Sequence, residues 1–514
     1  MLHVDERCRG LKKAEVGDKK QVLRMTRTEL GGADRLYRRV TIDALPDNVL
    51  IETFEFYLGK DDPYVVVFAD DHDYDGWQTL VHVCHRWRGI VFASPCRLDL
   101  KLFCSRQRLV NSKTLGIWPE LPIVIAAENR DMQPKEDVTN IIAALRHHNR
   151  VCKIYSHHGL FQDLLLKEFA AIDEPFPALT SLRLASYAQN VPVLPDSFLG
   201  GSAPRLRSLF LNGIPYPSIG RLLSSTTNLV RLALWGIPHS GYIAPETIVP
   251  CLSTLARLES LELGFRYPRS RAHLAGRHPP PLTRVVFPNL TYLRFEGDVE
   301  YLEDILSQIE TPILNQSDFR FFNQLVFDTP LLGHFIRRTE TFMTTHTACV
   351  KFTSWDVEVT LWGREGMADD DVETRYLSIS CKPLDWQLSA IAQVLDLFLS
   401  SLSTLESLEI TIGHEDWQGE IEVIQWREFL HPFTAAKKMS LKDEACVRLV
   451  APALRELARE RVTEVLPALQ NLSLTTSGWS PSGPLKEAIE KFIATRRLDG
   501  HPVTVHYEDI DSEE

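Results

Sequence analysis

The chain has 514 residues, 44% apolar and 24% charged, the composition of an ordinary globular protein that can bury a large core without staples. Its net charge of −12 argues against duplex nucleic acid as the main partner, because phosphate binding needs a concentrated basic face. Nine cysteines with no C-x-x-C pair argue against a disulfide framework or a zinc ribbon, and they fit reduced thiols in the cytoplasm or nucleus.

Residues 1–40 carry eleven Lys/Arg against six Asp/Glu and read as a basic, partly disordered segment. Charges stand where a signal peptide would need an apolar stretch. The longest apolar runs, "YVVVFA" and "LPIVIAA", are too short to span a bilayer, so no membrane is expected as a partner.

Residues 41–104 have a different character. "IDALPDNVLIETFEFYL" begins with Leu45-Pro46 and continues as a helix with apolar Val49, Leu50, Phe54 and Leu58; Asp47 sits in its first turn, where it suits the helix dipole. "WQTLVHVCHRWRGIVFAS" places Leu80, Val83, Cys84 and Trp87 at i, i+3, i+4 and i+7, one apolar stripe on a second helix. Cys84 beside His85 raises the question of a nucleophile and its base. The spacing answers with packing, since neighbours in sequence do not face each other on a helix and a free Cys is commonly buried. Between the helices, residues 59–76 ("GKDDPYVVVFADDHDYDG") form an acidic insertion. His72 and its flanking aspartates lack the spacing and terminal Glu of a calcium loop, so no metal is expected there.

The run "LPDNVLIETFEFYL…LVHVCHRWRGIVFASP" resembles the F-box, a small helical module, and is matched by Leu45, Pro46, Phe54, Val83, Cys84 and Trp87. With the following "CRLDLKLFC…KTLGIWPELPIVI" it is similar to the large set of fungal F-box proteins that carry degenerate repeats behind the box. The resemblance implies docking on a Skp-type adaptor, and through it a cullin–RING ubiquitin ligase. It nominates Leu45, Pro46, Val49, Leu50, Phe54, Leu80, Val83, Cys84 and Trp87 as adaptor-binding residues. The 59–76 insertion departs from the family, whose linker at this point is short.

Residues 105–514 repeat a single pattern, L-x-x-L-x-L: "LTSLRL" at Leu179, "LRSLFL" at Leu206, "LVRLAL" at Leu229, "LESLEL" at Leu258 and "LTYLRF" at Leu290, at gaps of 27, 23, 29 and 32 residues. Weaker copies start at Phe322, Thr347, Thr374, Leu405, Ala436 and Leu469, and an early one at Val151. The closing L-x-L alternates at period two and predicts a short strand; stretches such as "PETIVPCLSTLARL" and "VEYLEDILSQI" predict helices between strands, with Pro217 and Pro245 early in two of them. Strand, turn, helix and return at such a period is the signature of leucine-rich repeats. The expected fold is therefore an α/β solenoid, with parallel strands on the concave face and helices outside, behind a small all-α module. Residues 266–288 and 362–375 read as loop insertions, and the end of the chain as an acidic tail.

Paired histidines in "RHHNR" and "SHHG" do not form H-E-x-x-H, and no G-x-G-x-x-G, G-x-x-x-x-G-K-[ST] or G-x-S-x-G occurs. No catalytic residue, metal or cofactor is expected. The N-x-[ST] triplets at Asn289, Asn315 and Asn471 read as chance matches. Strand alternation turns Arg183, Phe210, Arg231, Trp235, Tyr292 and Arg294 away from the leucine core, and aromatics and Arg dominate binding hot spots, so these six are the expected substrate-binding residues. The expected function is a non-catalytic, substrate-recruiting ligase subunit for an unknown protein target. The alternative is a repeat scaffold that engages no ligase.

Overall fold

The structure, a computed structural model, describes residues 42–58, 76–105, 120–128, 141–157, 171–268, 284–339, 346–362, 374–395, 404–413, 421–461, 465–475 and 483–508, apart from 189, 325–326 and 328, and also 167, 169 and 402. The basic segment 1–40, the acidic insertion up to residue 75, the centres of the two later insertions and the tail from 509 lie outside the described residues, as does His158 of the "SHHG" motif. The chain divides into two compact units, Met1–Leu100 and Lys101–Glu514.

Among its described residues the first unit has three α-helices: α1 (Asp47–Leu58), α2 (Gly76–Val83) and α3 (His85–Ala93). The sequence pattern predicts one helix where α2 and α3 stand. The chain breaks at Cys84, whose extended backbone (φ −158°, ψ 169°) makes it the N-cap of α3, and its Sγ accepts the Trp87 N–H at 3.4 Å. A cap side chain satisfies one of the four donors that every helix start leaves open. The stripe is accordingly cut. Leu80 remains buried, but Val83 at the end of α2 is 55% exposed. The core of the unit is Leu50 and Phe54 from α1, Trp77, Leu80 and Val81 from α2, and Ile90 and Val91 from α3.

The second unit carries a sixteen-stranded sheet among its described residues. Its first half is β1 (Leu102–Ser105), β2 (Ile123–Glu128), β3 (Val151–His157), β4 (Ser181–Ala185), β5 (Ser208–Asn212), β6 (Arg231–Ile237) and β7 (Ser260–Phe265). A separate pair, β8 (Val285–Val286) and β10 (Ile309–Glu310), flanks β9 (Tyr292–Gly297) in sequence. Then come β11 (Gln316–Phe322), β12 (Thr347–Phe352), β13 (Asp356–Trp362), β14 (Thr374–Ser380), β15 (Ser407–Ile412), β16 (Lys438–Leu441), β17 (Asn471–Thr475) and β18 (Thr504–Glu508). The connections carry helices α4 (Ile219–Ser225), α5 (Pro245–Leu252), α6 (Val299–Gln308), α7 (Pro330–Arg338), α8 (Leu384–Leu395), α9 (Val423–Leu430), α10 (Glu444–Arg461) and α11 (Gly483–Leu498). Pro245 opens α5, whereas Pro217 precedes the N-cap Ser218 of α4 and lies outside that helix.

Each strong copy of the motif contributes three leucines, or Phe295 in the last, to one core. Leu179, Leu182 and Leu184 are at most 3% exposed, and the equivalents in the next four copies match them. Full burial of such a side chain contributes about 1.5–3 kcal/mol, and no copy could achieve it alone. The backbone is satisfied sideways. Thr180 N–H donates to Cys152, Arg207 to Thr180, Val230 to Arg207, Glu259 to Val230, Thr291 to Glu259 and Asn315 to Thr291, each one unit back. Asn228 and Asn289, just before their leading leucines, donate their amides to the Pro204 and Ala256 carbonyls of the preceding unit.

Two readings of the pattern need correction. The strand expected from Phe322 ends there instead: β11 is "QSDFRFF", with Phe319 and Phe321 in the core. Nor is the sheet wholly parallel. The order runs β11-β14-β13-β12-β15, and β13 is antiparallel to both neighbours. The chain leaves β11, crosses through α7 to β12 three places away, and returns by β13 to β14 beside β11. The β12–β13 turn is held by Thr353, whose Oγ1 accepts the N–H groups of Trp355 and Asp356, a hydroxyl substituting for a backbone turn.

Candidate functional site

Among the described residues, no group of three or more His, Cys, Asp or Glu is placed to hold a metal ion, and no helix is long and apolar enough to cross a membrane. His148 of "RHHNR" has its Nδ1 2.9 Å from the Pro175 carbonyl, a structural contact. Two surfaces remain, one in each unit.

On the helical unit, the nine residues expected to bind an adaptor separate into three sets. Leu50, Phe54 and Leu80 are interior, and the Phe54 ring packs 4.7 Å from that of Trp87. Leu45, Val49, Cys84 and Trp87 are partly covered; Pro46 and Val83 are exposed. Phe56, which the motif did not nominate, is 90% exposed. At 100° per residue it lies seven positions from Val49 and on the same face, with Thr53 between them, while Phe54 points to the opposite side. That spacing is readable in "NVLIETFEF", although the F-box-like motif matches Phe54 and not Phe56. The entry to α1 is pinned by Arg86, which donates to the Leu45 carbonyl and to Asp47 Oδ1, both at 2.6 Å. Arg97 reaches Glu55 at 3.2 Å and Glu52 at 4.0 Å.

On the sheet, strand register sets the face opposite the leucine core. Arg183, Phe210, Ala233, Glu262, Arg294, Asp318 and Tyr376 stand in one continuous row across β4, β5, β6, β7, β9, β11 and β14. Trp235 is two residues beyond Ala233. Of the six expected target-binding residues, Arg231 is exposed and the other five are half-buried. They are covered by one another. The Arg183 guanidinium lies 4.3 Å over the Phe210 ring, and that of Arg294 lies 4.1 Å over Trp235. The Trp235 indole N–H donates to Glu262 Oε2 at 2.8 Å.

Beyond these, Asp318 takes an ion pair from Arg294 at 2.8 Å, electrostatic in character because the N–H is not aimed at the oxygen. A second pair runs from Arg320 at 3.1 Å. Arg320 stacks 4.9 Å over Tyr376, whose hydroxyl donates to Glu358 at 2.6 Å. Burial raises the Glu296 pKa, with Arg320 and Arg294 opposing the rise and Asp318 adding to it. Burial likewise raises Tyr292, reinforced by Glu262 and Asp318 and opposed by Arg294. Burial disfavours the Arg320 cation, but Asp318, Tyr376 and Glu296 outweigh it and its pKa is raised. The sequence reading missed Asp318, Arg320 and Tyr376. Two of them lie on β11, which the motif had placed one strand-length too late.

No family model matches this chain, and no curated protein matches it. A solved structure to which it is similar is the leucine-rich repeat-containing protein LegL7 from Legionella pneumophila, at 15% identity, covering 66% of this chain and 96% of that one, with a TM-score of 0.28.

Proposed function

We propose that this protein is a substrate-recruiting subunit of a cullin–RING ubiquitin ligase. In this reading α1–α3 are an F-box that docks on a Skp-type adaptor, and the sheet unit is a leucine-rich repeat solenoid that holds a protein target. The observation that carries it is the pair of phenylalanines on α1: Phe54 builds the unit's core, while Phe56 stands in solvent on the helix face that also carries the partly covered Val49, two turns earlier. Exposed apolar groups clustered on one helix face mark an interaction site. The chain does no chemistry of its own; it raises the effective concentration of a target lysine near a charged conjugating enzyme.

Affinity purification of the full chain tests this reading. A Skp-type adaptor and a cullin should co-purify, and Leu45→Ala with Pro46→Ala should remove them while any target bound to the sheet unit stays. A purification that holds partners on the sheet unit but never an adaptor would instead support the scaffold reading.

A further inference from the structure

Charge is unevenly shared along the face opposite the leucine core. β7, β9 and β11 bring Glu262, Glu296 and Asp318 to it, and Asp318 pairs with both Arg294 and Arg320. β3, β4, β5 and β6 contain no Asp or Glu at all, yet they place Lys153, Arg183 and Arg231 on the same face. Arg183 stands in the middle of this group, between Tyr155 on β3 and Phe210 on β5. Its guanidinium lies 4.3 Å over the Phe210 ring, as that of Arg294 lies over Trp235. The two arginines then differ. Arg294 has Asp318 at 2.8 Å, whereas among the described residues no carboxylate pairs with Arg183, and its Nε is buried without an acceptor.

A ring holds a guanidinium by its plane and leaves the in-plane N–H groups to an acceptor. Half-burying that cation without an anion is unfavourable, and a ligand carboxylate relieves it. With Nε closed off, the edge left is the one between the two terminal nitrogens, a planar fork that matches a carboxylate. A phosphate dianion would leave half its charge unanswered by this one cation. Tyr155 adds no competing charge: burial raises its pKa, with a Ser181 hydrogen bond and Arg183 opposing the rise, so the phenol is neutral at neutral pH. We infer that the β4–β5 part of this face seats an aspartate or glutamate side chain of a bound polypeptide, held by the terminal N–H groups of Arg183. The chain's net charge of −12 repels acidic segments in general, so the acid-free strands β3–β6 set where such a segment can land. The inference rests on reading the sheet unit as a target-binding surface and is independent of adaptor docking.

The test is saturation-transfer NMR on the full chain with three probes: Nα-acetyl-glutamate methylamide, the glutamine analogue as neutral control, and Nα-acetyl-O-phosphoserine methylamide as the rival anion. The glutamate probe should bind about tenfold more tightly than the glutamine one, in line with a charge-assisted fork, and the preference should shrink as salt is added. Arg183→Met keeps an unbranched stem over Phe210 and should erase the preference with an unchanged unfolding temperature. Arg183→Lys, which keeps the charge and loses the fork, should retain part of it. Equal binding of the glutamine probe, a preference that survives Arg183→Met, or tighter Arg183-dependent binding of the phosphoserine probe would overturn the inference. A target that co-purifies equally well with the Arg183→Met chain would overturn it too, and leave the recruitment reading intact. Glutamate binding through Arg183 in a chain that co-purifies no target would do the reverse.

Discussion

The Trp235 indole lies flat across Gly264 on the neighbouring strand, in the space where any Cβ on that residue would collide with the ring. Glycine is required there for close approach, not for backbone freedom. The indole can reach Glu262 on one side and support Arg294 on the other only because nothing projects from position 264.

Gly264→Ala should therefore displace the indole and cost about 1–3 kcal/mol, as overpacking does. In a Trp235→Ala background the same change should cost almost nothing. Denaturant unfolding of the four proteins measures the coupling; additive losses would mean that the contact carries no energy.

Asp318 stands between two guanidinium groups with little solvent access, its side chain 13% exposed. Asp318→Leu removes the acceptor and leaves Arg294 and Arg320 facing each other, so it should cost about 3–5 kcal/mol. Arg320→Met in the same chain should restore part of that loss, a rescue visible as a rise in the unfolding midpoint.

Glu296 sets a pH dependence whose direction is fixed by its raised pKa. The folded state holds that proton more tightly than the unfolded chain does, so its contribution is greatest at low pH and is lost as pH rises through the folded value. Glu296→Gln should flatten the stability profile in that window and leave the protein relatively more stable above it. Unfolding free energies measured from mildly acidic to neutral pH will show whether the two profiles converge at low pH.

The thiols give a prediction about reactivity. Cys96 is exposed, whereas Cys104, Cys381 and Cys446 are buried. Burial pushes the Cys381 thiol up to about 11, helped by Asp385, and burial also raises the Cys446 thiol well above its ordinary value. Iodoacetamide at neutral pH should label Cys96 in the folded protein and reach these three only after unfolding. Cys84 acts as a cap: Cys84→Ser should be neutral or stabilising, while Cys84→Ala should cost about 0.5–2 kcal/mol.

Much of the sheet unit was legible because each copy buries its leucines alike, and burial leaves a periodic trace. Direction leaves none. The strands at Thr347 and Thr374 alternate as parallel strands do, so period two could not reveal that the chain doubles back between them through "DVEVTLW". β11 was misplaced because Phe319 and Phe321 do the work of leucines there, and "FNQLVF" imitates the motif just after it. In the helical unit, i, i+3, i+4 spacing runs unbroken across Cys84, since apolar spacing does not record where a backbone turns to cap a new helix. The stacking of Arg183 on Phe210 and Arg294 on Trp235 was out of reach as well. Facing away from the core predicts accessibility, but cross-strand neighbours, set by register, decide how much of it remains.

If α1 docks on an adaptor as proposed, calorimetric titration of the full chain with a purified Skp-type adaptor will show it. Wild-type protein should form a one-to-one complex. Val49→Glu with Phe56→Glu should abolish it while the unfolding midpoint stays the same, because Phe56 lies in solvent and Val49 is only partly covered. No heat of binding from the wild-type chain, or an unchanged affinity in the double variant, would rule out adaptor docking through this face of α1.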